Sequence, residues 1–375
     1  MKINIRIKDK QIHVKAKIKW QTDRLKFILA DSLNMKKIKS QDGRELEYNY
    51  EPKVLEPFLP LFRAYEINSS NAENIEIEYE GKLEGRFLYM DEELIHFSFY
   101  NGWYPVIDNY FDYTVEIENF DENYCLLDGT FDSNKKTWQY IAKKSDDTFL
   151  DNNIILVNNN FYSIFKNEDV IFYCEKKHAD LIEKYFNLYN TIKDFYIQIY
   201  EVNRLEKTNF VYLPENENWK GDGYMRKNLV VSSTAPKNIE HQIILMAHEM
   251  GHAYGNGADF RSFEDWINET NAEWSALLFL KNYYPKLFKK RIEYHKKQMQ
   301  NKKLSLKEKG ENRSENVHST GTLIYYDIYK KFGENSVIDL LKIADSLSTK
   351  STKNLLDALI ENDRTELFCE LKKYL

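Results

Sequence analysis

Residues 243–252 read Ile243-Ile244-Leu245-Met246-Ala247-His248-Glu249-Met250-Gly251-His252. Successive residues of an α-helix turn by about 100°, so His248 and His252 fall within about 40° of each other, one turn apart. Two imidazole nitrogens placed this way can meet one Zn²⁺ at about 2.0–2.1 Å. Glu249, one step on, reaches a water on that ion rather than the ion itself, and can take its proton. A chance HExxH is expected in roughly one or two per cent of chains with this His and Glu content, so the motif needs support. A catalytic zinc also needs a third protein ligand and an open position. The next helical stretch is Trp266-Ile267-Asn268-Glu269-Thr270-Asn271-Ala272-Glu273-Trp274. Its two carboxylates are again four apart on one face. One can ligate, while the other accepts a hydrogen bond from a ligating imidazole and fixes its tautomer.

Outward from the motif the period stays helical. Residues 238–253, 266–282, 319–332 and 335–346 read as helices. Leu181, Ile182, Tyr185, Phe186, Tyr189, Ile192 and Phe195 form one apolar stripe. Between that stripe and residue 150 lie two uniformly apolar runs, Ile154–Val157 and Val170–Tyr173, of the kind buried strands show. Val211–Leu213 reads as a further strand. The first third has period two: Ile3/Ile5/Ile7 and Ile12/Val14/Ala16/Ile18/Trp20 alternate with polar residues, and Asp42-Gly43 marks a hairpin turn. The expected fold class is α+β, with an N-terminal β-sandwich over 1–147 and a mainly helical domain over 148–375.

Composition sets outer limits. The 375 residues include 27 Tyr, 22 Phe and 6 Trp against 13 Gly and 7 Pro, which excludes collagen-like and disordered chains. A net charge of −6 argues against a dedicated nucleic-acid binder. The three cysteines, Cys125, Cys174 and Cys369, are far apart and suggest reduced thiols. The N-terminus lacks the apolar core of a signal peptide, and no run approaches 18 apolar residues, so a cytoplasmic protein without membrane contact is expected. The lysine-rich stretch 281–309 reads as a solvated helix face followed by a loop. His241 reads as a surface residue, and His178 and His295 as structural ones.

The ordered set His248-Glu249-x-x-His252, then residues 253–268, then Glu269 within W-I-N-E-T-N-A-E, resembles the gluzincin zinc peptidases of the membrane-alanyl-aminopeptidase family. That family includes the leukotriene-epoxide hydrolase. The resemblance implies one Zn²⁺ per chain, Glu269 as its third ligand, and Glu273 as the carboxylate that holds a ligating imidazole. It also implies a thermolysin-like catalytic domain. The gap between the two motifs is slightly shorter than the family's. Gly223-Tyr224-Met225-Arg226-Lys227-Asn228 stands where the family has a substrate-binding G-x-M-E-N strand, so Gly223, Tyr224 and Met225 are implied substrate contacts. The family's glutamate there, which holds the substrate α-amine, is replaced by Arg226 and Lys227. A relaxed need for a free substrate N-terminus follows. His318, in Asn316-Val317-His318-Ser319-Thr320-Gly321, matches a tyrosine that steadies the tetrahedral oxyanion. An imidazole N–H can donate to an oxyanion as a phenol does. Asn101-Gly102-Trp103-Tyr104-Pro105 is similar to a W-Y-P segment of the family's β-domain. With the chain ending at Leu375, a short form lacking the family's C-terminal helical domain, and hence a more open cleft, is the expectation.

The leading expectation is a zinc metallopeptidase acting on a peptide or protein, with Glu249 as general base and His318 at the oxyanion. The alternative is a catalytically silent, zinc-containing peptide-binding protein.

Overall fold

The computed structural model describes residues 1–20, 22–55, 59–68, 73–107, 113–142, 152–205, 207–216 and 222–375. The chain divides into two compact units, Met1–Ser163 and Ile164–Leu375.

In chain order the first unit carries β1 (Lys2–Lys8), β2 (Gln11–Lys19), β3 (Arg24–Ala30), β4 (Leu33–Ser40), β5 (Tyr48–Lys53), β6 (Phe62–Asn68), β7 (Asn74–Gly81), β8 (Tyr89–Met90), β9 (Leu94–Phe97), β10 (Tyr113–Glu118), β11 (Tyr124–Leu126), β12 (Thr130–Asp132), β13 (Thr137–Ala142) and β14 (Ile154–Asn158). Among the described residues they form three sheets, β12-β13-β10-β1-β2-β7-β4, β3-β6-β5 and β11-β14-β9-β8. The period-two pattern is the cause. Along β2, Ile12, Val14, Ala16 and Ile18 are buried while Lys15, Lys17 and Lys19 face water. Buried residues from all three sheets, Ile5, Val14 and Ile77 with Phe27 and Tyr65 and with Phe97 and Leu156, share one core. Trp103 and Tyr104 of the W-Y-P segment belong to it, and Tyr79 Oη donates to the Trp103 carbonyl. The run Ile154–Val157 is uniformly apolar because β14 lies between β11 and β9 and is buried along its whole length. It therefore pairs within the first unit, while the 147/148 boundary read from the change of texture lies outside the described residues.

The second unit opens on a sheet of order β15-β16-β17-β19-β18, built from β15 (Tyr162–Lys166, straddling the division), β16 (Val170–Glu175), β17 (Thr208–Tyr212), β18 (Gly223–Arg226) and β19 (Leu229–Ser232). Then follow α1 (Ile182–Tyr200) between β16 and β17, and α2 (Ile239–Gly255), α3 (Asp265–Tyr283), α4 (Pro285–Gln298), α5 (Val317–Phe332), α6 (Glu334–Ser346), α7 (Thr352–Glu361) and α8 (Thr365–Leu371). Helix α3 is buried on nearly all sides, with Trp266, Ile267, Ala272, Trp274, Leu277, Leu278 and Phe279 in the core. Helices α2 and α5 both press against it. Gly251 of α2 makes one approach possible: a β-carbon there would stand 2.8 Å from the Ala272 carbonyl oxygen. Gly321 of α5 makes the other, since a β-carbon would overlap Thr270 Oγ1 and lie 3.1 Å from Thr270 Cβ. The lysine-rich stretch runs from the end of α3 through α4 into the segment that follows, and its Lys290, Lys296, Lys307 and Lys309 each pair with a nearby glutamate, as a solvated face does. No described helix is long and apolar enough to cross a membrane.

Candidate metal centre

Polar residues inside the otherwise apolar α3 build the site. Asn268 fastens the turn between α2 and α3. Its Oδ1 accepts from the amides of Gly257 (3.1 Å) and Ala258 (3.0 Å), and its Nδ2 donates to the Ala258 carbonyl (3.0 Å) and to Asp265 Oδ1 (2.8 Å). One residue on, Glu269 faces α2. Its Oε2 lies 3.6 Å from His248 Nε2 and 3.7 Å from His252 Nε2. One turn further, Glu273 reaches the other side of the same imidazole, with Oε2 at 2.8 Å from His248 Nδ1. A carboxylate only accepts, so Nδ1 carries the proton and the Nε2 lone pair is left toward Glu269. His252 is arranged alike. Its Nδ1 is 2.8 Å from Asn256 Oδ1, an acceptor one helical turn along. The two rings are perpendicular, their centroids 4.9 Å apart.

Glu273 is 1% exposed and collects four donors. Besides His248 it accepts from Arg291 Nε (2.6 Å) and Nη2 (2.9 Å) and from His295 Nε2 (2.9 Å). These cations and N–H groups outweigh burial and hold its carboxyl well below the usual range. Burial depresses the His295 pKa, so that ring is neutral, and its Nδ1 accepts from the Ser319 hydroxyl at 3.0 Å. A hydrogen-bonded chain thus runs from Ser319 through His295 and Glu273 to His248.

Glu249 lies on the remaining side. It is buried, and Oε2 has no hydrogen-bond partner among the described residues. Burial raises its pKa to about 7. Gly223 of β18 lets the strand come this close, because a β-carbon there would stand 3.2 Å from Glu249 Oε1. Tyr224 and Met225 are both buried, Met225 in the core, and β18 is the outermost strand of its sheet among the described residues. Arg226 lies over the Tyr224 ring at 5.7 Å and donates to the Met225 carbonyl.

His318, the second residue of α5, puts Nδ1 2.9 Å from Glu269 Oε2. Ligand atoms of His248, Glu269 and His318 all lie within 4.8 Å of one another.

The set fits a divalent cation on the chemistry of its donors. Burial opposes charge on His248, yet Glu269 and Glu273 drive its pKa to about 10, so the pocket favours positive charge. Burial holds His252 at about 4, which leaves a free lone pair at neutral pH. Glu269 Oε2 is buried, surrounded by imidazole nitrogens, and makes no hydrogen bond among the described residues. Two imidazoles oriented by Nδ1 partners, His252 already neutral and His248 exchanging its Nε2 proton for the cation, together with one carboxylate, are a zinc ligand set.

No family model matches the chain, and no curated protein does. The likeness is to solved structures. Native leukotriene A4 hydrolase of yeast superposes with a TM-score of 0.65 at 14% identity, covering 96% of this chain and 64% of that one. A second structure of the native enzyme from Saccharomyces cerevisiae gives 0.66 at 13% identity, covering 98% and 65%. The chain has the leukotriene A4 hydrolase fold. It covers just under two thirds of the length of these two structures. Both expected layers, strands first and helices second, belong to this α+β fold.

Sequence reasoning named His248, Glu249, His252, Glu269, Glu273 and His318, and the structure brings these six side chains together. It did not name Asn256, Arg291 or His295 as partners. Asn256 carried a weak signal, lying four residues after His252. Arg291 and His295 carried none beyond lying on one face of a basic helix.

Proposed function

We propose that the chain is a zinc-dependent peptidase. The observation that carries this is the orphaned Glu269 Oε2, facing two imidazole Nε2 atoms whose Nδ1 positions are held by Glu273 and Asn256, with the base Glu249 buried beside them. His248, His252 and Glu269 would hold the ion. Zinc, when bound, supplies Lewis acidity, polarising a scissile carbonyl and acidifying a coordinated water. Glu249 takes the proton at Oε2 and returns it to the leaving amine, and its raised pKa suits a base working near neutrality. Glu273 keeps His248 in the tautomer that leaves Nε2 free. His318, freed from Glu269, donates an N–H to the oxyanion. The edge strand β18 binds the peptide through its backbone.

The substrate is a peptide or protein. The fold-level likeness supports a hydrolase site but names no substrate for this chain. Arg226 and Lys227 are cations and offer no carboxylate to a substrate α-amine, which supports cleavage without a free N-terminus. A site closed by the contact of His318 with Glu269 favours the second reading, a silent zinc-containing peptide binder. Turnover decides between the two. A mixed peptide library is incubated with the zinc-loaded protein and with Glu249→Gln, and cleavage products are counted. Products from the wild type alone are expected. Equal cleavage by both proteins, or none by either, refutes the peptidase. Cleavage that requires an unblocked N-terminus refutes the relaxed specificity.

A further inference from the structure

We infer that His318 is a fourth metal ligand, so that the resting centre is closed by three imidazoles and one carboxylate and opens when His318 swings away. This rests on His248, His252 and Glu269 being the zinc ligands, and adds the regulation of the same site.

Geometry carries the inference. Four donors set tetrahedrally at about 2.0–2.2 Å from one ion stand about 3.3–3.6 Å from each other. Around Glu269 Oε2 the separations to His248 Nε2 and His252 Nε2, 3.6 and 3.7 Å, are close to this spacing, and His318 Nδ1, at 2.9 Å, stands nearer than a shared ion would leave it. Donors of His248, Glu269 and His318 also lie mutually within 4.8 Å. A simple ion pair would show a directed N–H···O hydrogen bond. Glu269 Oε2 makes none among the described residues, although His318 Nδ1 is in contact with it. Three imidazole nitrogens gathered about one buried carboxylate oxygen are disposed as ligands sharing a centre.

Exposure separates His318 from the other three. The side chains of His248 and His252 are each 10% exposed and Glu269 15%, whereas His318 is 47% exposed. His248 and His252 are held by hydrogen bonds from Nδ1 to Glu273 and Asn256, and Glu269 by its packing. The fourth stands on the first turn of α5 with about half of its side chain open to solvent. Four protein donors make a closed centre, and catalysis needs an open position. Departure of His318 vacates that position for a water or a carbonyl oxygen, and keeps the imidazole near enough to serve the oxyanion. The backbone of α5 need not move, because Gly321, three residues on, locks it against Thr270.

The test is metal titration of the metal-free full chain, as wild type, His318→Ala and His318→Asn. Zinc is titrated against a chromophoric chelator, and cobalt by its visible absorption. Both variants are expected to lose about tenfold or more in zinc affinity. Their cobalt bands shift and change intensity as water replaces an imidazole. Nitrogen NMR of histidine-labelled, zinc-loaded wild type provides a readout free of any folding defect in the variants: three ligated imidazoles are expected, and two overturn the inference. Variants with wild-type affinity and spectrum overturn it as well, while leaving the peptidase reading intact. A wild type that binds no stoichiometric metal refutes both.

Discussion

Thr270 and Gly321 form a contact whose energetics can be worked out in advance. Thr270 sits beside the ligand Glu269 on α3, and Gly321 sits three residues after His318 on α5. Gly321→Ala places a methyl inside the shell of Thr270 Oγ1 and 3.1 Å from its Cβ. The β-branched Thr270 has few helix rotamers and would bring Cγ2 in if it turned. Overpacking costs about 1–3 kcal/mol, an overlap this deep belongs in the upper part at about 2–3 kcal/mol, and the better helix propensity of alanine returns about 1 kcal/mol. A net loss of about 1–2 kcal/mol is expected. Thr270→Ala is milder. Its hydroxyl is buried without a hydrogen-bond partner among the described residues, so little more than a methyl is lost, and alanine again favours the helix. The cost there is about 0.5–1 kcal/mol. In the double variant the new methyl fills the space the threonine left. The double variant should therefore recover to within about 0.5 kcal/mol of wild type, a coupling of about 1–3 kcal/mol. Urea unfolding of the four metal-free proteins gives the cycle directly. Additivity within about 0.5 kcal/mol, or a neutral Gly321→Ala, would refute the claim that this contact sets the spacing of α3 and α5.

Glu273→Gln turns one accepting oxygen into a donor facing Arg291 and His295; a loss of about 3–5 kcal/mol and a 10- to 100-fold drop in zinc affinity are expected, checked by denaturant unfolding and chelator competition. Unchanged values would show that the carboxylate charge is irrelevant. Asn268→Ala should free the amides of Gly257 and Ala258, read as faster hydrogen exchange there, with about 1–3 kcal/mol lost. Protection equal to wild type would mean that the loop is held by something else. His96 is fully buried, donates Nδ1–H to the Phe87 carbonyl, and is held by burial at about 4. Its unfolded-state pKa is about 6.5, so the unfolded chain takes up a proton first as pH falls. Stability is full above pH 6.5 and drops by about 3 kcal/mol on the way to pH 4. Urea midpoints across that range should be less steep for His96→Gln, and an identical slope would exclude His96 as the cause.

Much of the second unit was legible because helices declare themselves within a few residues. The two imidazoles of α2 share a face at spacing four whatever surrounds them. The pair Glu269 and Glu273 follows the same rule on α3. Their division of labour did not. Periodicity says only that both carboxylates face one way, and resemblance alone suggested which would ligate. The structure places Glu269 toward the Nε2 side of His248 and Glu273 toward its Nδ1 side, because α2 crosses α3 where Gly251 lets them close in. The strand Ile154–Asn158 is the opposite case. An apolar run of that length reads as a buried strand, but which sheet buries it depends on partners about 30 and 60 residues back in the chain.

By itself the sequence determined whatever depends on short spacing: the alternation that makes the β layers, the helical stripes, and two histidines and a glutamate on one turn. Only the tertiary structure decided which atoms meet across elements. Arg291 and His295 reach Glu273, and His318 reaches Glu269, through contacts spanning 18 to 49 residues of chain. The local pattern of a helix records which face is buried. It does not record which side chain of another helix lies opposite, since that follows from the distance and angle at which packed helices settle.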